Sequence, residues 1–281
     1  MTHPALLLLL AVAAAASTAI AQKEPRLLRY DLQPGAEGEY AVRSKVHTLV
    51  QSAGPSMETT VTIDATMRYR VVERDKRGAR VHHEMQSLKM QVDSPGRVTK
   101  FDSETGEPAP PQLGAMPQLI GQTIEAETDD RGRLLGEPRI VDHGGDAVEA
   151  KGVLDQFLVE LPEAPVAVGE SWTTETRQAL GPDKEMVLRL TNVLVSFDGQ
   201  NAKIGQTLTY ERADQPKDLP AQVELEPTTG DLQVNLHRPV PMAMQQNMRM
   251  TTTTSAPGHE IKMRINSETA VAPVMTKRNK Q

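Results

Sequence analysis

The sequence predicts a mainly β protein, in which a long antiparallel meander forms a curved, half-barrel-like sheet with one or two helices packed on it. Two alternating stretches and a turn between them support this fold class. Apolar side chains occupy every odd position of residues 61–71, with polar residues between them, as in a strand with one buried and one wet face. The pattern resumes over residues 81–92 after the turn at 75–78, which indicates a long β-hairpin.

A second hairpin of the same plan is predicted around the Asp198-Gly199 turn, between residues 186–194 and 202–210. Superposing Ala79 on Ala202 also brings Gly106 close to Gly230, which suggests an internal duplication. We therefore expect a single β-rich domain over residues 22–281. Its related halves would span about residues 28–110 and 161–270, with a helical and hairpin insert at about 111–160. Two tandem β domains are the alternative.

The insert carries the helical signals. Six apolar residues have the spacing of one helix face, with Asp146 as a candidate N-cap and Pro162 as the end. These residues are Ala150, Val153, Leu154, Phe157, Leu158 and Leu161. We expect this helix to lie against the concave side of the sheet. A shorter helical stretch is expected near residues 113–120, and residues 123–140 are predicted to form a hairpin around Asp130-Arg131-Gly132.

Residues 1–21 predict a secretory signal peptide. They contain no Asp, Glu, Lys or Arg, and five consecutive leucines lead into an alanine-rich run that ends at the small-residue site Ala19-Ile20-Ala21. We expect an exported protein, periplasmic or extracellular. No transmembrane segment is expected in the mature chain, because the apolar run is short for a membrane span and no stop-transfer pattern follows it.

Composition removes several classes of function. Without cysteine, the chain has no disulfide, thiol nucleophile, Cys metal site or lipid-modified N-terminal cysteine. A net charge of −6 without a dense basic stripe argues against nucleic acid as a partner. One Trp, four Tyr and three Phe are too few for a surface that stacks sugars or bases.

Catalytic motifs are also missing from the sequence. It contains no Gly-x-Ser-x-Gly elbow, no glycine-rich phosphate loop and no His-Glu-x-x-His. His82 and His83 are adjacent in a predicted strand, so they should point to opposite faces and not bind one ion together. Trp172 is interpreted as a core residue at the start of the second half. We therefore expect a protein that is not an enzyme and uses no cofactor.

A methionine stripe is the least ordinary feature of the chain. Met242, Met244, Met248 and Met250 all occupy even positions of a predicted strand and should share one face. We interpret the stripe as core or as the adaptable lining of a hydrophobic cavity, since methionine fills irregular apolar space. The alternative is a Cu(I) site, because thioethers select soft metals. In that case His237, His259 and Met263 would be further candidate ligands.

Two phrases of the sequence, residues 28–35 (LRYDLQPG) and 161–172 (LPEAPVAVGESW), carry a resemblance. Together with the signal peptide, they resemble a family of uncharacterised secreted bacterial proteins, a domain of unknown function that implies no activity and no site residues. The predicted architecture resembles the lipoprotein-carrier half-barrels of the bacterial envelope. In those proteins a curved sheet wraps helices around an apolar cavity that holds acyl chains, so the resemblance implies a cavity here as well.

The function expected from these observations is that of a non-enzymatic envelope protein that binds a hydrophobic ligand, with lipid or lipoprotein as partner. Seven side chains are candidates for the cavity lining: Met67, Tyr69, Met90, Phe157, Met242, Met244 and Met248. A scaffold protein of the envelope without a small ligand is one alternative. The Met-dependent Cu(I) binder is the other.

Overall fold

The computed structural model describes residues 24–113, 116–141, 154, 158–181, 184–211, 221–226, 228–256 and 259–274. These residues form one open antiparallel sheet of 13 strands, which confirms the mainly β class. The strands are β1 (Glu37–Gln51), β2 (Met57–Arg74), β3 (Ala79–Ser94), β4 (Arg97–Asp102), β5 (Thr123–Thr128), β6 (Arg139–Ile140), β7 (Ser171–Gly181), β8 (Lys184–Phe197), β9 (Asn201–Glu211), β10 (Ala221–Glu226), β11 (Thr228–Asn235), β12 (Ala243–Ala256) and β13 (His259–Pro273).

The sheet order is β6-β5-β3-β2-β1-β13-β12-β11-β9-β8-β7. In addition, β4 pairs with β3 and β10 pairs with β12. The first and last strands are neighbours, and their register runs from Tyr40 opposite Pro273 to Gln51 opposite Lys262. The described strands are therefore continuous in one sheet, while the origin of its two parts by duplication stays a prediction.

Both predicted hairpins are present, as β2–β3 and β8–β9. Along β3 the inward-facing apolar positions change from odd to even numbers: Met85 lies opposite Met67, whereas Leu88 lies opposite Ala65. A β-bulge between Thr66 and Met67 shifts the register here. One extra residue on β3 thus keeps both apolar sets on one face of the sheet.

That face, here called the inner face, carries the core. At one end of the strands it is closed by the segment before β1 and by the segment that leads into β7. The buried side chains of these two segments include Leu28, Tyr30, Leu32, Val159, Leu161 and Val166. Backbone hydrogen bonds hold the segments in place, with Arg26 paired to Val166 and the Tyr30 N–H donating to the Asp130 carbonyl at 2.7 Å. Toward the other end of β1, β2, β12 and β13 the inner face is only half-buried.

The described residues contain three short 3₁₀ helices: Ser103–Thr105 follows β4, and Pro111–Leu113 and Met116–Leu119 lie in the insert. The stretch expected near residues 113–120 is thus 3₁₀ in its described part, because Pro111 and Pro117 cannot donate the backbone bonds of a longer helix. The hairpin over residues 123–140 is confirmed, since Ile124 pairs with Ile140 across a turn at Gly132.

The helix predicted for residues 150–161 falls mostly outside the described residues. Within the described part, Leu154 is fully buried, and the Leu158 N–H donates to the Leu154 carbonyl at 3.1 Å, the bond of one helical turn. Where this helix lies on the sheet stays a prediction. No helix among the described residues has the length and apolar character that crossing a membrane would require.

Candidate functional site

The half-buried end of the inner face contains a cavity of about 370 Å³. It lies over four neighbouring strands, β2, β1, β13 and β12, with further lining from β3 and from the 3₁₀ helix at Met116–Leu119. Four methionines contribute to its wall: Met67, Met85, Met116 and Met248. Among the described residues no charged side chain lines it. The cavity is therefore an apolar space with uncharged polar groups only.

Strand alternation and register explain this composition. Of the inward positions of β1, Val42, Ser44 and Val46 line the cavity. Ser44 faces Ile63 of β2 on one side and Thr269 of β13 on the other. Small and medium side chains on adjacent strands leave open space above the sheet. The longer methionine side chains form the border of this space.

A row of uncharged polar residues crosses the inner face at the level of the cavity. Direct neighbours in the register are Ser44 with Thr269, Thr269 with Gln246, Gln246 with Gly230, Gly230 with Gln206, and Gln206 with Asn192. The side chains of Ser44, Thr269, Gln246, Gln206 and Asn192 are here called the polar rung. Ser44, Thr269 and Gln246 line the cavity, whereas Gln206 and Asn192 are buried beyond it.

Hydrogen bonds run along the polar rung. The Gln246 amide donates to Oε1 of Gln206 at 3.2 Å, and the Gln206 amide donates to Oδ1 of Asn192 at 2.7 Å. At its other end the hydroxyl oxygens of Ser44 and Thr269 lie 3.4 Å apart. Gly230 permits the Gln246–Gln206 contact, because a Cβ there would lie 3.0 Å from Cγ of Gln246. Both buried side chains, Gln206 and Asn192, are thus hydrogen-bonded, as is usual for buried polar groups.

On the closed side of the cavity the inner face is fully packed. Val42 faces Val271, which faces Met244, which faces Leu232, and all four side chains are buried. On the open side Val46, Ser267 and Met248 form the next row and are half-buried. The polar rung therefore lies between two rows that are mainly apolar.

The outer face carries charged groups. Glu125 on β5 is largely buried and accepts hydrogen bonds from His82 at 2.9 Å and from Nε of Arg139 at 2.9 Å. Burial alone would raise the pKa of Glu125, but the bonds from His82 and Arg139 and the charges of Arg139 and Arg80 hold it below its usual value. His83 points to the inner face instead, as strand alternation predicts. In the described part of the chain, His, Asp and Glu side chains form no group of three or more that could hold a metal ion.

The seven predicted lining residues are distributed over several environments. Met67 and Met248 line the cavity. Tyr69, Met90 and Met244 are buried in the core, and Met242 is half-buried just before β12. Phe157 lies outside the described residues. The hydroxyl of Tyr69 accepts a hydrogen bond from Nε of Arg238 at 3.0 Å, at the closed end of the sheet.

The candidate copper ligands are likewise spread along the strand. Met244 lies in the packed core opposite Leu232, Met248 lies in the cavity, and Met250 is half-buried opposite Ile265. Trp172 is half-buried against the core, where its indole N–H donates to the Glu160 carbonyl at 3.1 Å.

Most of the lining was not identified from the sequence. Met85 and Met116 were missed, as were the β1 positions and the polar residues of β12 and β13. One signal was available: Ser267 and Thr269 share the parity of Met263 and Ile265 on one strand, which places all four on one face.

Comparisons with known proteins support the fold. No protein-family model matches the sequence, and no curated protein matches it. A solved structure titled "Lipid-protein interactions in lipovitellin" is similar, with a TM-score of 0.52 and 10% identity over 87% of this chain and 25% of that chain. The chain thus spans about a quarter of the lipovitellin chain.

A second solved structure is the translocator domain of the autotransporter NalP from Neisseria meningitidis. The match covers 83% of this chain and 88% of that chain at 6% identity, but its TM-score of 0.17 is too low to indicate a shared fold. The molecule belongs to the class of large open antiparallel sheets with one apolar face. Its likeness to part of lipovitellin is a likeness of fold.

Proposed function

We propose that this protein is a non-enzymatic protein of the bacterial envelope that binds a hydrophobic ligand, such as a lipid or an acyl chain, in the cavity on the inner face. The observation that carries the proposal is the cavity itself. About 370 Å³ of space is bordered by four methionines and by aliphatic side chains of β1 and β2, without a charged group among the described residues. Apolar space of this kind favours apolar ligands.

The size and lining of the cavity support a ligand of modest dimensions. Its volume lies toward the lower end of the range of about 300 to 1,000 Å³ found for small-molecule sites. Flexible methionines adapt to ligands of varying shape, because their thioether chains adopt many rotamers at low cost. A single acyl chain, held against β1 and β13, suits this space.

The fold comparison supports the same proposal in a weaker way. The similar lipovitellin structure is titled for lipid–protein interactions, and the lipoprotein carriers of the envelope combine a curved sheet with an apolar cavity. The export part rests on residues 1–21, which have the composition of a secretory signal peptide. N-terminal sequencing of the protein from the envelope fraction should begin at Gln22, and a retained Met1 would contradict export by this signal.

Native mass spectrometry tests ligand binding, with the protein purified from the envelope fraction of the cells that naturally produce it. We expect a bound mass that organic extraction releases as lipid. In Ser267→Phe the aromatic ring should fill the cavity and abolish the bound mass, since Ser267 lies between Val46 and Met248. Asn266→Phe is the matched control, because Asn266 is exposed on the opposite face of the same strand. A bound lipid that persists in Ser267→Phe, or a wild-type protein that is always empty, would contradict the proposal.

A Cu(I) carrier is the second candidate, and the four methionines of the cavity are the observation that favours it. Thioether sulfur is a soft ligand that binds Cu(I), and an exported chain without cysteine would bind it through methionine and histidine. Metal analysis of the same sample separates the candidates. Stoichiometric copper without lipid would replace the lipid proposal, and an empty protein in every preparation would favour a scaffold role.

A further inference from the structure

The polar rung divides the apolar inner face at the position of the cavity. Beside it on the closed side lie Val42, Val271 and Met244, and on the open side lie Val46, Ser267 and Met248. Polar side chains at inward positions cost stability unless they are hydrogen-bonded, and apolar residues there would pack without that requirement. The rung therefore places hydrogen-bonding groups at one defined level of a wall that, among the described residues, is apolar elsewhere except at Ser267.

The hydrogen-bonding capacity of the rung is not used up within the described part of the chain. The Gln246 amide group uses one N–H to donate to Gln206. A primary amide has a second N–H and a carbonyl oxygen with two lone pairs. Since Gln246, Ser44 and Thr269 all line the cavity, the rung offers a ligand both donors and acceptors at one place.

Charge limits which head group can bind there. No Lys, Arg or His lines the cavity among the described residues. The charged side chains of β1 and β13, such as Arg43, Lys45 and Glu268, are at outward positions beside the inward Ser44 and Thr269. A carboxylate or phosphate drawn to the level of Gln246 would leave its charge unpaired, which is costly in an apolar site.

We propose that the cavity selects a neutral amphiphile, whose apolar chain lies along the methionines and whose hydroxyl, ester or amide head group hydrogen-bonds to Gln246, Ser44 and Thr269. This inference rests on the proposed lipid-binding function and adds the chemical class of the ligand. Free fatty acids and other anionic lipids bind less well, because the described part of the wall provides hydrogen bonds but no countercharge.

Ligands that carry a saturated hydrocarbon chain of matched length and differ in the head group test the inference. The experiment is competition of monolaurin, lauryl alcohol and laurate with a fluorescent acyl probe on the purified protein at about pH 8, where a carboxyl group is ionised. We expect monolaurin and lauryl alcohol to bind at least about tenfold more tightly than laurate, given the cost of an unpaired charge. Equal affinities, or tighter binding of laurate, would overturn the inference and leave the proposed function intact.

Substitutions assign the selectivity to the rung. Gln246→Leu should weaken monolaurin binding by about three- to tenfold, the value of one or two hydrogen bonds, and leave laurate affinity unchanged. Gln245→Leu is the matched control, because Gln245 is exposed on the outer face of the same strand. Unchanged monolaurin affinity in Gln246→Leu would show that the rung is structural only and would overturn the inference.

A second variant separates the effect on ligand binding from an effect on stability. Gln246→Leu also breaks the bond to Gln206 and can destabilise the sheet, so Ser44→Ala serves as a second variant that leaves that bond in place. It should lower the preference for monolaurin over laurate in a protein that unfolds at the wild-type temperature. Failure of the protein to bind any of the three ligands or the probe would contradict the proposed function, and this inference would fall with it.

Discussion

The hydroxyl oxygen of Tyr40 lies 3.3 Å from Nδ1 of His83, and both side chains are fully buried on the inner face. Tyr40 is on β1 and His83 is on β3, so the contact spans the strand between them. Burial lowers the pKa of His83 to about 3, and the charge of His82 adds to this effect. Burial raises the pKa of Tyr40. His83 is thus a neutral core residue at ordinary pH.

This burial makes stability depend on pH. The folded protein holds the pKa of His83 at about 3, below its ordinary value of 6.5. The unfolded chain therefore binds a proton that the folded protein does not, and stability declines as pH falls from 6.5 toward about 3. One such group changes the free energy of unfolding by at most about 1.4 kcal/mol for each pH unit. In His83→Gln this part of the slope should disappear in urea unfolding measured across that range, whereas parallel curves for both proteins would contradict the prediction.

Gly132 is expected to tolerate no side chain. Its φ is +85°, and an added Cβ would lie 2.6 Å from the Val159 carbonyl oxygen and 2.7 Å from the ring of Tyr30. Gly132→Ala should lower the free energy of unfolding by about 3 kcal/mol or more, because the strain of a left-handed backbone adds to the cost of the steric collision. Gly199→Ala is the control: φ is +101° there with nothing within 4 Å, so only strain of about 1 kcal/mol is expected. Similar losses for both variants in chemical unfolding would show that the close approach does not matter.

Arg131 ties the β5–β6 turn to the segment that closes the core. Its guanidinium donates to Glu160 at 2.8 Å and to the Leu161 carbonyl at 3.0 Å, and its side chain is only 16% exposed. We expect Arg131→Met to lower the free energy of unfolding by about 2 to 3 kcal/mol, since it removes charge-assisted bonds from a shielded site. Arg133→Met provides the comparison, because Arg133 is 58% exposed and its ion pair with Asp129 should contribute under about 1 kcal/mol. Equal losses would contradict the role assigned to Arg131.

Substitution of Gly230 should destabilise the protein, because the missing side chain leaves room for the polar rung. A Cβ there would approach Cγ of Gln246 at 3.0 Å and the Gln245 carbonyl oxygen at 3.1 Å. Gly230→Ala should therefore displace Gln246, break its bond to Gln206 and cost about 1 to 3 kcal/mol in thermal or urea unfolding. Gly54→Ala, in the turn before β2, meets only Ser52 Oγ at 3.8 Å and should be nearly neutral. A stable Gly230→Ala protein would show that the rung adapts without loss.

The fold class was predictable because alternation is a local signal. Residues 61–71 and 81–92 lie in β2 and β3. The bulge opposite Thr66 and Met67 was not predicted. One extra residue on β3 only changes whether the inward positions carry odd or even numbers, and the alternation on either side looks regular. The pairing of β1 with β13 was not predicted either, because it joins Ser44 to a residue 225 positions away and leaves no periodic trace.

The cavity was predictable only in part for a related reason. Met67 and Met248 were named because apolar residues at alternate positions stand out in a sequence. Ser44 and Thr269 were not named, because polar residues within strands suggest a solvated face. Met244 and Tyr69 were expected in the same lining, but the segments at Leu28 and Val166 close that end of the sheet and leave them in packed core.

The position of β13 between β1 and β12 has a consequence for how the chain reaches its native state. The last strand fills the centre of the sheet, so the two parts of the sheet cannot join before synthesis has passed His259. Such contacts give a high contact order, which slows folding. Until β13 is in place, β1 and β12 each expose an unpaired edge that can template aggregation. The incomplete chain is therefore expected to be most prone to aggregation just before its final strand forms, and to depend at that stage on protection of those two edges.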